Sequence, residues 1–367
     1  MMPAFQIVAI ALAAMVVGSL ASRADRTDLD SDLAAACAAF LILAVLFGPS
    51  AFADYDVYVG YSENLQNADF ADLLAPEFAS RALLKLLASA SGKPETGAVL
   101  MAWVIFASTF AGIALLGRRY APGPANVAVL LALFGPLLVF NTLRASPAYL
   151  LVTFVVLRGP RWDWLSSGLL LLALGFHISV LLPIAALVLY ALLRWALGDH
   201  PRRNAWVFGI LVALALAGQL ALRWQLGEVL KLFSGGSDLA RLPALTVYLD
   251  ETIFSRGVLH DLWYLAVAPL GLILFHADHG LPGFARRQLF VAFFVIFTVL
   301  QASPVVAHRF SPFFLIPLIL GTDHRKLLPS LTSSRAFRFG FPVAVGALFI
   351  ATFLGNLANR SDLLGRP

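Results

Sequence analysis

Three basic side chains interrupt otherwise apolar sequence: Arg144 in "FNTLRASP", His177 in "LLLALGFHISVLLPIAAL" and Arg309 in "VAHRFSP". An unpaired arginine at mid-membrane costs about 2.5–3.5 kcal/mol even on insertion scales, so such groups line a cavity or have partners. Guanidinium forks bind phosphates and carboxylates bidentately. Two of them beside a histidine fit an anion, diphosphate above all. The plainer alternative is that each arginine pairs with an acid or a carbonyl to hold helices together, and that the histidine is simply hydrogen-bonded. A second group stands in "FADYDVYVGYSEN", where Asp54 and Asp56 alternate with Tyr55, Tyr58 and Tyr61. A partly desolvated carboxylate can take a proton from a hydroxyl. Tyrosine offers sugars a ring face and a hydroxyl. The same stretch also reads as an interfacial aromatic belt with solvated acids.

The elements that must position these groups follow from composition. Of 367 residues, 60% are hydrophobic and 13% charged, and the mean hydropathy is +0.84. No soluble domain of this size buries that much apolar surface, so the chain reads as an all-α, polytopic membrane protein. Spans are expected at 4–22, 33–50, 97–117, 125–141, 145–157, 164–176, 178–195, 205–224, 258–275, 288–302, 310–321 and 339–355, twelve in all, forming one membrane domain over 1–367. The first run ends in small residues as a signal peptide does, but "MMPAFQ" has no basic start. It is read as a retained span with its N-terminus outside. The short loops assigned to the inner side then carry 15 of the 26 Lys and Arg, which satisfies the positive-inside rule. Two long loops, 51–96 and 225–257, fall on the outer, periplasmic side. In the first, "EFASRALLKLLASA" is an amphipathic helix that lies on the membrane surface or packs against the spans.

The net charge of +5 comes from loop arginines and implies no nucleic acid. Cys37 is the single cysteine. There is no metal-ligand spacing and no Walker or dinucleotide motif in an inner loop, so neither a metal nor a nucleotide cofactor is expected.

Length arithmetic places the basic groups. Residues 164–195 form an apolar run of 32, which as one helix would span about 48 Å against a hydrocarbon core of about 30 Å. Arginines mark both of its ends as inner, so the run must turn, and "GFHIS" is the natural place, with Gly175 weakening the helix. Arg144 lies 14 residues from Arg158, and Arg309 lies 14 residues before Asp323. At about 1.5 Å per residue each is roughly 21 Å above the inner face. Pro147 and Pro312 would each sit in the first turn of a following helix. Three recessed turns thus bring Arg144, His177 and Arg309 to one depth, below the outer surface, in a shared water-accessible pocket.

These segments resemble a family. "DYDVY" is similar to the Asp-Tyr-x-x-Tyr that opens the first outer loop of EpsG-like, Wzy-type polysaccharide polymerases. "PEF" at 76–78 resembles the Glu-bearing stretch before that loop's amphipathic helix. "LRASPAYLL", "ALGFHISVLL" and "HRFSPFFLIPL" resemble the family's Arg, His-Ser and late Arg segments, in order over roughly 50–320. Phe-Ala precedes Asp54 where members often have Gly or Arg, and Asp56 adds a second acid.

The resemblance implies a GT-C-like glycosyltransferase of the bacterial inner membrane with its active site facing the periplasm. It would join oligosaccharide repeat units carried on polyprenyl diphosphate, alongside a flippase and a chain-length regulator. Asp54, Asp56 or Glu77 would be catalytic. Arg144, His177, Arg309, Tyr55 and Tyr58 would bind substrate. The competing readings are a transferase of single sugars from a polyprenyl monophosphate, and a polysaccharide flippase or exporter. An exporter would be expected to show symmetry-related repeats, which this sequence lacks.

Overall fold

Helix starts and stops in this chain are set by its punctuation residues, and among the described residues every regular element is helical. The structure is a computed structural model that describes residues 3–23, 29–48, 52, 55–66, 77–141, 144–159, 163–198, 206–221, 284–300, 304–322 and 335–358. The elements are α1 (Ala4–Ser22), α2 (Leu29–Phe47), α3 (Tyr55–Gln66), α4 (Phe78–Ser91), α5 (Pro94–Tyr120), α6 (Pro124–Pro136), a π-helical turn (Leu137–Asn141), α7 (Ala145–Arg158), α8 (Trp164–Phe176), a 3-10 turn (Ile178–Val180), α9 (Leu181–Leu197), α10 (Trp206–Ala221), α11 (Phe284–Leu300), α12 (Pro304–Gly321) and α13 (Arg335–Ala358). Proline opens α5, α6 and α12, where its missing N–H is no loss.

Five helical stretches are long and apolar enough to cross a membrane: Ala4–Ser22, Leu29–Phe47, Pro94–Tyr120, Pro124–Asn141 and Ile178–Leu197. Several shorter apolar helices accompany them, and the chain is a multi-pass membrane protein. Trp164, Trp195 and Trp206 are strongly exposed near helix ends, as interfacial tryptophans are.

Two compact units divide the chain: Met1–Val180 with Ile319–Pro367, and Leu181–Leu318. In the first, α1 packs on α13, α2 and α6. Contact there is backbone-close. A Cβ on Gly18 would lie 2.7 Å from the Pro342 carbonyl oxygen, and one on Gly346 would lie 3.0 Å from that of Ala14. Small residues permit this approach where lipid removes the usual hydrophobic drive between helices. An aromatic core adds to it. Phe40 meets Phe110, Phe140 and Phe349 at 5.4–6.0 Å between ring centroids, each pair contributing about 0.5–1.5 kcal/mol beyond area burial. The Asn126 side chain donates to the carbonyls of Ile319 and Thr322, both at 2.6 Å, tying α6 to the end of α12. In the second unit α9 packs on α11 through Leu193, Leu197 and Ala292.

Three expectations need correction or refinement. Arg309 is not in a turn. Helix α12 starts at Pro304 and runs through it, with Pro312 in its interior. The stretch between the two prolines is helix-compatible, so the helix starts at Pro304 and not at 310, where the hydropathy put it. The first long loop is not only a loop, since it contains α3 and α4. Of the two readings for α4 the packed one holds, because Ser80, Leu84 and Ala88 are buried on one stripe and α4 packs on α5, α3 and α8. The break at "GFHIS" is present: α8 ends at Phe176 and His177 is extended. Gly175, however, is needed for space. A Cβ there would lie 2.6 Å from Cζ of Phe78. The loop 225–257 and the span 258–275 lie outside the described residues.

Candidate functional site

Helices α7 and α8 build the floor. They pack side by side, joined by a short connection that Arg158 and Asp163 brace with a 2.7 Å ion pair. Asp163 also caps α8 by accepting the Ser166 N–H at 2.8 Å. The Ser166 hydrogen bonds, and then Arg158, hold the Asp163 carboxyl below the usual carboxylate range. Because the two helices are of similar length, their far ends coincide. Arg144 immediately precedes α7, and His177 follows the end of α8. Both stand about 20 Å from the Arg158 connection at 1.5 Å per residue.

Each end is fixed locally. Before Arg144, α6 gives way at Pro136 to the π-helical turn, a distortion that leaves carbonyls without their helical partners. The buried Ser146 hydroxyl donates to the carbonyl of Leu138 in that turn at 2.5 Å. Pro147 is the third residue of α7, as the sequence suggested.

The third component comes from α4, which is pinned at both ends. At its C-terminus Gly92 adopts the left-handed conformation, φ 69°. Its N–H returns to the Ala88 carbonyl at 3.0 Å, which turns the chain into α5. There Ala88 presses on Gly97 so closely that a Cβ on Gly97 would lie 2.5 Å from the Ala88 Cα. At the N-terminus Phe78 seats against Gly175 of α8.

These contacts aim Glu77. It precedes α4, a position where a carboxylate normally accepts N–H groups of its own helix. Glu77 makes no such cap. Instead it is the one non-glycine residue with positive φ among those described, at φ 69° and ψ 35°. An L-residue held there costs about 1–2 kcal/mol. The bent backbone sends the carboxylate to Arg144, with Oε2 2.6 Å from Nη1, and Oε1 to 3.9 Å from Nε2 of His177. A local preference is broken and strain is held where two basic groups converge, the kind of place where strain tends to be functional. The three side chains are largely shielded, at 15% exposure for Glu77, 25% for Arg144 and 14% for His177.

Helix α3 supplies the walls. The Arg144 guanidinium carbon lies 5.6 Å from the Tyr58 ring centre and 5.7 Å from that of Tyr61, both within cation–π range. Tyr58 and Tyr61 are one turn apart, but they differ in access: Tyr58 is 2% exposed and Tyr61 41%. Tyr58 is thus a buried brace under Arg144. Tyr61, one turn further on, is the accessible ring that the sequence reading did not select. Tyr55 is half-buried at the start of α3.

Of the other expected site residues, Asp54 lies outside the described residues, and Asp56 is the second residue of α3. Arg309 is exposed on α12 and belongs to the second unit. Arg144, His177 and Glu77 are thus brought together within the first unit. Among the described residues no three His, Cys, Asp or Glu side chains gather as a metal site requires.

Chemically, the cluster sets two basic side chains, Arg144 and His177, against one carboxylate, Glu77. The model of the EpsG family matches residues 33–361, nearly the whole chain. No curated protein and no solved structure matches it.

Proposed function

Because the chain belongs to the EpsG family, whose members are polysaccharide-polymerase-like membrane proteins, we propose that it is a Wzy-type polymerase. It joins oligosaccharide repeat units carried on polyprenyl diphosphate, at the periplasmic face of the bacterial inner membrane. The observation that supports this best is the convergence of Arg144 and His177 on Glu77. Two donors meeting one carboxylate at a helix end match the demands of a phosphate group.

In this reading the donor's diphosphate displaces the Glu77 carboxylate from Arg144. The acceptor sugar hydroxyl attacks the anomeric carbon of the donor. A glycosidic C–O bond forms, the C–O bond to the diphosphate breaks, and polyprenyl diphosphate departs with the bond's electron pair. Arg144 stabilises its growing charge, the electrostatic contribution that most often dominates. The hydroxyl proton passes to a carboxylate, with Asp54 the first choice and Asp56 and Glu77 the alternatives. Tyr55 and Tyr61 line the sugar path. Arg309 is proposed as a substrate contact on the strength of the segment "HRFSPFFLIPL". The lipid diphosphate is itself an activated donor, so the chemistry calls for neither metal nor nucleotide.

The glycan of a deletion strain tests the proposal. Single repeat units at the cell surface are expected. Lipid-linked units stranded on the cytoplasmic side would mean a flippase instead.

A further inference from the structure

His177 has its tautomer chosen by its neighbour. Its backbone is extended, with φ −152° and ψ 129°, and it opens the 3-10 turn by accepting the Val180 N–H on its carbonyl at 3.2 Å. The ring closes over the same turn. Nδ1 accepts the Ser179 backbone N–H at 3.1 Å, and the Ser179 hydroxyl oxygen lies 2.6 Å from the same nitrogen. A backbone N–H can only donate, so Nδ1 must present its lone pair. The Ser179 hydroxyl then also donates, and the two share that lone pair. The ring hydrogen of neutral His177 is left on Nε2, the atom that faces Glu77 Oε1 at 3.9 Å. A proton placed on Nδ1 would have to displace the Ser179 N–H.

We propose that Ser179 is a positioning residue that locks His177 as an Nε2–H donor, so that His177 binds an anionic oxygen of the substrate and does not act as a general base. A base at this position would need its lone pair on Nε2, toward the cluster. The lone pair is instead on Nδ1, taken up by the turn. The lock itself is independent of the polymerase reading. That reading supplies only the identity of the anion, a phosphate oxygen of the lipid-linked donor.

Two measurements on the full chain separate these points. In nanodiscs, with ¹⁵N-labelled histidine and the His177→Gln chain used for assignment, the His177 ring should show the Nε2–H tautomer. Ser179→Ala keeps the backbone N–H and should leave the pattern unchanged. Ser179→Pro removes the N–H at a first-turn position where proline fits and should release the Nδ1–H form. An Nδ1–H ring in the unmodified protein overturns the proposal whether or not the protein is a polymerase, and this arm needs no folded proline variant. The second measurement is polymer output. His177→Gln carries an N–H at the Nε2 position and should stay within about 10-fold of the parent. His177→Asn mimics only Nδ1 and should lose the charge-assisted bond, about 10- to 100-fold. Equal, complete loss in both variants, with the parent active, would refute the donor role.

Discussion

Replacing Glu77 by glycine and by alanine separates the function of its carboxylate from the cost of its backbone. Both substitutions remove the 2.6 Å pair with Arg144. With Glu77 15% and Arg144 25% exposed, that loss is about 1–3 kcal/mol, below the 3–5 kcal/mol of a fully buried pair. The two differ in what they do at φ 69°. Alanine keeps the left-handed strain of about 1–2 kcal/mol, whereas glycine relieves it and gives back about 0.4–1 kcal/mol through greater freedom in the unfolded chain. Glu77→Gly should therefore be more stable than Glu77→Ala by about 0.5–1.5 kcal/mol, and within about 2.5 kcal/mol of the parent. Equilibrium unfolding by SDS in mixed micelles, followed by tryptophan fluorescence, reads this directly. Polymer output should fall equally in the two, because it follows the carboxylate and not the strain. An alanine variant as stable as the glycine variant would refute the left-handed aiming of Glu77. A glycine variant that still makes polymer would remove Glu77 from the site.

Arg144→Ala should abolish polymer without loss of membrane-inserted protein on immunoblots, while Arg144→Lys should restore only part, since lysine keeps the charge but not the fork. Gly175→Ala should push Phe78 and with it Glu77 out of place; activity should recover in a Gly175→Ala, Phe78→Leu double variant, the sign of a shared contact in a double-mutant cycle. Asn126→Ala leaves the Ile319 and Thr322 carbonyls without that donor and should destabilise by about 1–3 kcal/mol in the same SDS titration. Asp163 has its pKa lowered on folding. Its contribution is therefore fully present above the unfolded carboxyl value of about 3.9 and lost as pH falls through the lower folded value. The stability gap between the parent and Asp163→Asn should accordingly narrow on acidification below that range.

What could be read from the sequence was whatever depends on runs and lengths. Apolar runs gave the helices, and the short distances from Arg158 to Arg144 and from Trp164 to His177 placed both basic groups at one end of the α7–α8 pair. The resemblance singled out Glu77, but nothing in periodicity or spacing joins it to Arg144, 67 residues on. That pairing depends on two tight helix contacts, Ala88 on Gly97 and Phe78 on Gly175, which a single sequence does not encode as a motif. Gly175 carried a signal, but its meaning, room for a ring from another helix, needed the packing. Arg309 was misplaced because proline is a two-way sign. Pro312 suggested a helix start, while Pro304 was the one that opens α12. Tyr58 and Tyr61 are one helical turn apart, and only the packing of α3 on α5 decides which is buried.

The most direct test of the central claim is reconstitution. The purified chain is placed in liposomes with polyprenyl-diphosphate-linked repeat units labelled in the sugar, and the products are resolved by length. The parent should yield a ladder beginning at two units, with the carrier released as polyprenyl diphosphate, and Arg144→Ala and Asp54→Asn should leave only single units. A parent that forms no ladder, or an Arg144→Ala chain that forms a normal one, would contradict the account.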